Sequence, residues 1–240
     1  MTPNPVDLLV FGPHPDDIEI GLGGAVARAS AEGQRVGLCD LTAGEMGSNG
    51  TEAERLEEAE AARAVLGAAW RINLRWPDRA LGSTPEHVRS AAALVRSARP
   101  RAVALPYGHD RHPDHVAASQ LLTEAVFNAG LRRYPLEADA WRPDWICYYF
   151  INDAADPTFV VDVSAQYDLK RRALACHATQ FAPTGAGAVA TRLTSPRFLQ
   201  LVESRDAWFG ARAGVAFAEG VVVREMLVRQ SLFKNDHGDR

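Results

Sequence analysis

The chain is predicted to fold as an α/β protein. The expected form is a three-layer, Rossmann-like, largely parallel sheet with helices on both faces and a C-terminal strand and helix elaboration. Three observations predict this. Apolar strand-like runs alternate with helical segments as far as Gly130, the rhythm of a parallel sheet covered on both sides. Two of the strand-to-helix junctions carry dense polar motifs, His14-Pro15-Asp16-Asp17 and His112-Pro113-Asp114-His115. After Gly130 the rhythm gives way to irregular chain and shorter elements.

Asp7–Phe11 is the first strand, and Leu22–Glu32 is an alanine-rich helix ended by Gly33. Arg35–Leu41 is the second strand, followed by a loop, Thr42–Asn49, with glycines at 44, 47 and 50. Thr51–Leu66 is a strong helix: Thr51 and Glu54 have capping-box spacing, and Gly67 ends it. Trp70–Arg75 is the third strand. Pro85–Ala98 is a helix with Thr84 as its cap and proline at its first position. Ala102–Pro106 is the fourth strand, and His115–Ala129 is a helix stopped by Gly130. Beyond it, Arg132–Arg142 is irregular. Trp145–Phe150 and Thr158–Val163 are strands either side of a polar turn, Asn152–Pro157. Gln166–His177 is a helix, Ala182–Ala190 a Gly/Ala-rich loop, Pro196–Arg212 a helix, and Val215–Val223 a strand broken by Gly220. Residues 1–233 are expected to form one domain and 234–240 a disordered tail.

Composition narrows the function classes. With 47% hydrophobic residues in 240, the chain has enough apolar surface for one large core. A net charge of −4 with scattered arginines gives no basic stripe for nucleic acid. Three widely spaced cysteines, Cys39, Cys147 and Cys176, form no C-x-x-C and read as reduced thiols of a cytoplasmic protein. The first residues lack the basic region of a secretory signal. No apolar run approaches the roughly 20 residues of a membrane span.

The two polar motifs carry the chemistry. In open α/β sheets, ligands bind outside the carboxyl ends of the strands, so the two junctions can converge. Pro15 restricts the turn, letting His14 and Asp17 face one point, and His115 is the natural third ligand. Two imidazoles, one carboxylate and a water make a recurrent catalytic zinc set. Asp16, within one water of that point, suits a general base. His112 paired with Asp114 suits an imidazolium aimed at a developing oxyanion. A metallophosphatase or nuclease usually needs a second metal and more bridging carboxylates. The Gly21-Leu-Gly23-Gly24 run lacks G-x-G-x-x-G spacing and is read as close packing of the first helix against the loop, not as a dinucleotide site.

These segments together resemble a known family. Gly12-Pro-His-Pro-Asp-Asp-Ile-Glu-Ile-Gly-Leu-Gly-Gly24 and Arg111-His-Pro-Asp-His115 are similar to the zinc-dependent N-acetylglucosamine deacetylases of the LmbE / PIG-L type. The resemblance extends through Asp40–Gly47, Gly50-Thr51 with Arg55, Ala125–Leu131, Phe159–Val163, His177–Phe181, and Phe209-Gly210 before Glu219-Gly220. The later segments resemble the branch that serves bacillithiol biosynthesis. That resemblance implies hydrolysis of N-acetylglucosaminyl-malate to glucosaminyl-malate and acetate. The alternatives are another N-acetylglucosamine derivative or the amide of a thiol S-conjugate.

It also implies His14, Asp17 and His115 as zinc ligands, with Fe²⁺ an option that ligand type does not decide. Asp16 is implied as base and then acid, and His112, oriented by Asp114, as the oxyanion partner. A malate aglycone calls for a cationic clamp, for which Arg55 and Arg111 are the candidates. Glu45, Asn49 and Gln180 are candidate contacts to the sugar. Relatives suggest a homo-oligomer, commonly a hexamer. Trp208, Phe209, Val215, Phe217, Leu227, Leu232 and Phe233 are available either for an interface or for the core. The partners implied are a small amino-sugar glycoside, with neither nucleic acid nor membrane.

Overall fold

A computed structural model describes residues 4–185 and 187–228. The expected tail at 234–240 and the apolar pair Leu232 and Phe233 lie outside the described residues. In chain order the elements are β1 (Leu8–Gly12), α1 (Asp17–Ala31), β2 (Val36–Asp40), α2 (Glu52–Leu66), β3 (Trp70–Asn73), α3 (Pro85–Ala98), β4 (Ala102–Pro106), α4 (Pro113–Ala129), β5 (Trp145–Tyr149), β6 (Phe159–Asp162), α5 (Tyr167–Cys176), α6 (Ala178–Phe181), α7 (Pro196–Ala213) and β7 (Ala218–Val222). A short 3₁₀ turn, Ser164–Gln166, leads into α5.

One seven-stranded sheet runs β3-β2-β1-β4-β5-β7-β6. The first five strands are mutually parallel, and β7 lies antiparallel between β5 and β6. This is the predicted mostly parallel α/β architecture. Strand alternation sends Leu9 and Phe11 to a core shared with α3 and α4, through Val88, Val95, Leu121 and Leu122. Val10 and Leu38 face the opposite core, with Val26 of α1, Leu66 of α2, Leu174 of α5 and Val202 of α7. Because β1 is flanked by β2 on one side and β4 on the other, the chain reverses direction of winding there. The crevice at that switch point is the standard ligand position.

Local signals account for most boundaries. The Thr51–Glu54 capping box forms, and Gly67 ends α2 with φ of 72°. Thr84 caps α3, with Pro85 in the first turn. Two starts differ from expectation. α1 begins at Asp17, five residues early, and is interrupted at Leu22, which has non-helical dihedrals. α4 begins at Pro113, capped by His112. Gly220 does not break the last strand; it pairs with Val160 of β6.

The glycines of α1 pack elsewhere than foreseen. A Cβ at Gly21 would lie 2.2 Å from the Tyr149 ring, and one at Gly24 would lie 2.7 Å from Val163. They therefore admit β5 and the chain after β6, not the site loop.

The break at Leu22 is repaired from the far end of the chain. Glu219 of β7 accepts the Gly24 and Ala25 amides at 2.9 and 2.7 Å. Lys170 of α5 is fully buried and lies 2.6 Å from both Glu219 and Asp206. Burial pushes the Glu219 carboxyl above its ordinary range despite Lys170.

The irregular segment after α4 is pinned by buried Arg96, whose guanidinium donates to the carbonyls of Ala129, Leu131 and Ala138. Of the C-terminal apolar residues, Phe209 is core, Phe217 stacks on Tyr167, and Trp208 and Leu227 are exposed. No helix among the described residues is long and apolar enough to cross a membrane.

Candidate active site

The turn after β1 and the turn after β4 meet at the switch point. The first is tight and strained: Asp16 adopts φ of 114°, a conformation that non-glycine residues take at a cost and that concentrates at functional sites. This twist presents Asp16 and Asp17 to the same crevice. The second turn is set by His112, whose Nδ1 accepts the Asp114 amide at 3.2 Å. That bond leaves the proton on Nε2.

The expected ligands converge on one oxygen. Asp17 Oδ2 lies 3.0 Å from His14 Nδ1 and 3.4 Å from His115 Nε2. His14, His112 and His115 each bring a ring nitrogen within 4.8 Å of the others. The remaining nitrogens are held by carboxylates. His14 Nε2 lies 3.2 Å from Asp78 and 3.3 Å from Asp114, and His115 Nδ1 lies 3.1 Å from Asp110. Carboxylates behind histidines are the usual means of orienting metal ligands.

Electrostatics test whether the residues fit a cation. Burial alone would disfavour protonated histidine. Yet hydrogen bonds to Asp114, Asp17 and Asp78 hold the His14 imidazole well above its ordinary range. Asp17 and Asp110 likewise push His115 up to about 9. Burial would raise Asp17, but His115 and His14 hold it well below the usual carboxylate range. Burial also acts against Asp110, which His115 and two backbone amides bring down to about 2. A surplus of buried carboxylate that draws protons onto these imidazoles is what a divalent cation would satisfy in the protons' place, so the donor set fits a metal.

Asp16 behaves differently. Burial, aided by Asp17, pushes its carboxyl up to about 6 against the opposing charge of Arg55. That places it near the working pH of a proton carrier.

The geometry gives several of the expected site residues protein partners of their own. Arg55 is buried, and its guanidinium donates to Gly44 O at 2.7 Å and Pro15 O at 2.9 Å, with Asp16 at 3.5 Å. It braces the two loops, since a buried guanidinium must satisfy its donors internally. Asn49 spends its amide on Val189, donating to the carbonyl at 2.9 Å and accepting the amide at 2.8 Å. Glu45 is exposed and accepts the Asp78 amide at 2.6 Å. Gln180 lines the cavity while donating to Asn49 O at 2.8 Å.

Asp114 meets the His112 ring through its backbone amide, while its carboxylate accepts from the Arg79 amide and guanidinium at 3.1 and 2.8 Å. Burial and the neighbouring His115 and His14 push the His112 imidazole below its ordinary range, which favours the neutral form with its proton on Nε2. Arg111 lines the cavity without an ion pair among the described residues. His177, whose role the sequence leaves open, is fully buried 3.4 Å from Glu19.

Sequence reasoning passed over Asp78, Arg79, Asn152 and Arg192. Asn152 joins Asp110 through its amide and side chain at 2.9 and 3.1 Å. Asp78, Arg79, Asn152 and Arg192 all line the cavity of about 470 Å³ above the histidines. The available signal was position: the first two follow β3 and Asn152 follows β5, at the same sheet edge as the motifs.

Fold and site together define a hydrolytic enzyme of α/β architecture with a His/Asp metal-binding group at the switch point. The chain belongs to the PIG-L deacetylase family, whose model, described as GlcNAc-PI de-N-acetylase, matches residues 9–126. It is 33% identical to the diacetylchitobiose deacetylase of Thermococcus kodakarensis, covering 72% of this chain and 70% of that protein. It is 29% identical to the 1D-myo-inositol 2-acetamido-2-deoxy-alpha-D-glucopyranoside deacetylase of Rhodococcus erythropolis, over 78% of this chain and 85% of the relative. A solved conserved protein from Thermus thermophilus superimposes with a TM-score of 0.87 at 39% identity, covering 96% of this chain and 99% of that one.

Proposed function

We propose that this chain removes the acetyl group from N-acetylglucosaminyl-malate, releasing glucosaminyl-malate and acetate, the deacetylation step of bacillithiol biosynthesis. The observation that carries the reading is a buried Asp16, its carboxyl pushed up to about 6, beside the histidine cluster and beneath a cavity rimmed by Arg79, Arg111 and Arg192. An acetamide is a poor electrophile with a poor leaving group, so it needs carbonyl polarisation and proton delivery. His14, Asp17 and His115 would hold a zinc ion, which would supply the first and lower the pKa of a water. Asp16 would accept a proton from the attacking water and return it to the leaving nitrogen. His112 donates Nε2–H toward the oxygen on which negative charge develops. Arg55 fixes Asp16 from behind.

The named substrates of the Thermococcus and Rhodococcus relatives are neutral glycosides. An arginine rim instead favours an anionic aglycone. The reading includes one catalytic unit over residues 1–233, zinc as the metal and a homo-oligomer.

The test is incubation of metal-analysed protein with N-acetylglucosaminyl-malate, following free amine and acetate. Controls are chelated protein, Asp16→Asn, N,N'-diacetylchitobiose and free N-acetylglucosamine. Metal-dependent release that Asp16→Asn lowers by about 10²–10⁴ supports the reading. Turnover of the neutral glycosides alone would discard the malate substrate and keep the deacetylase. No release from any N-acetyl sugar would discard both.

A further inference from the structure

We propose that Arg192 is a specificity-determining residue that, with Arg111, forms a two-point clamp for a dicarboxylate aglycone. This deepens the malate reading and rests on it. Four arginines line the active-site cavity, and their commitments differ. Arg55 is spent on two carbonyls and Asp16. Arg79 is spent on Asp114. Among the described residues, the guanidinium groups of Arg111 and Arg192 have neither an ion pair nor a hydrogen-bond acceptor. Two carboxylates require two cations, and two are free.

Arg192 is exposed, but the backbone that carries it is fixed. It sits at the tip of a tight turn in which Thr191 N donates to Thr194 Oγ1 at 2.9 Å and Thr194 N donates to Thr191 Oγ1 at 3.2 Å. The Ser195 amide closes onto the Arg192 carbonyl at 3.3 Å. Upstream, the Asn49 clasp fixes Val189. Downstream, Ser195 caps α7. The guanidinium lies 5.8 Å from the ring centroid of buried Phe198, a cation–π distance. A charge oriented by backbone, cap and ring, yet left without a counter-ion, is preorganised for a ligand that brings one.

Its place fits the far end of a substrate. Arg192, Phe198, Ile151 and Asn152 line both the active-site cavity and an adjoining one of about 600 Å³. Arg192 therefore stands at the doorway between them, while the carboxylates Asp16, Asp17 and Asp78 gather at the metal end. The carboxylate of the adjoining cavity, Asp153, does not line the first. An anion thus meets Arg192 from the active-site side.

A cycle between protein charge and substrate charge tests this. kcat/KM is measured for the malate glycoside and for the lactate glycoside, which lacks one carboxylate, with wild type, Arg192→Gln, Arg192→Lys and Arg111→Gln. Calorimetry in the Asp16→Asn background gives Kd for the same pairs. The expected result is a malate preference of about tenfold or more in wild type, the worth of one charge-assisted hydrogen bond. That preference collapses in Arg192→Gln and is partly restored in Arg192→Lys. A preference that persists undiminished in Arg192→Gln would overturn the clamp while leaving malate as substrate. A wild type that deacetylates neutral glycosides but ignores both carboxylates would overturn the substrate reading and the clamp with it.

Discussion

Replacing Lys170 with methionine tests how the C-terminal elaboration is fastened to the catalytic half. Lys170 lies 2.6 Å from both Asp206 and Glu219, and all three are fully buried. Removing the ammonium does not strand the two carboxylates equally. Asp206 keeps Arg205 at 3.0 Å and the Tyr167 hydroxyl at 3.1 Å. Glu219 keeps only the amides of Gly24 and Ala25. The cost therefore falls on one buried, uncompensated carboxylate, about 3–5 kcal/mol. For a chain of this size each kcal/mol moves Tm by about 2–4 °C, so a loss of about 6–20 °C is expected. Thermal and urea unfolding of metal-matched samples measure it.

The sign with pH is fixed. A buried carboxyl with a raised folded-state pKa binds its proton more readily folded than unfolded. The deficit is therefore smallest below the unfolded value of about 4.3 and grows as pH rises through the folded one. Lowering pH toward the unfolded value should narrow the gap to wild type, and adding Glu219→Gln should recover roughly 1 kcal/mol or more. A single-variant loss under about 1 kcal/mol, flat with pH, would refute the assignment of this triad as an ionised, mutually compensating set.

Three other perturbations have defined outcomes. Asp110→Asn weakens the carboxylate behind His115 and should lower zinc affinity about 10–100-fold in a chelator competition, without unfolding the protein. Asn49→Ala removes both bonds to Val189, and limited proteolysis should then cut within 182–190 faster than in wild type; an unchanged rate would mean that the clasp does not hold the loop. Cys176 should alkylate first at pH 8, as read by mass spectrometry. Cys147, pushed up to about 12 by burial, and fully buried Cys39 should react only on unfolding.

The parts of the fold legible in the sequence are those whose cause is local. Thr51, Glu54 and Gly67 bracket α2 because a capping box and a left-handed stop act within a few residues. The parallel sheet was legible because apolar runs and helical segments alternate. The start of α1 was not, because it depends on Asp16 adopting positive φ, which nothing in its neighbours requires. In the site, the two motifs announce their histidines and aspartates by crowding them into four residues each. Charge alone does not say what a side chain faces. Arg55 reads as a substrate clamp, and the structure adds that its guanidinium lies against two carbonyls. Asn49 likewise has a protein partner, Val189, that its own position does not announce. Asp78 and Asn152 escape because they reach the centre from loops far along the chain, and a single residue carries no pattern.

The sheet order has a consequence for synthesis. β6 pairs only with β7, so when β6 leaves the ribosome it has no neighbour until β7 follows. In that interval it is an open edge, the kind that invites intermolecular pairing. β7 also brings Glu219, which supplies the acceptors for two amides of α1 about two hundred residues earlier. α1 is thus completed only after β7 has been made. Long-range closure of this kind slows folding, and the helix that follows the Asp16–Asp17 turn gains its full support only once Glu219 has emerged.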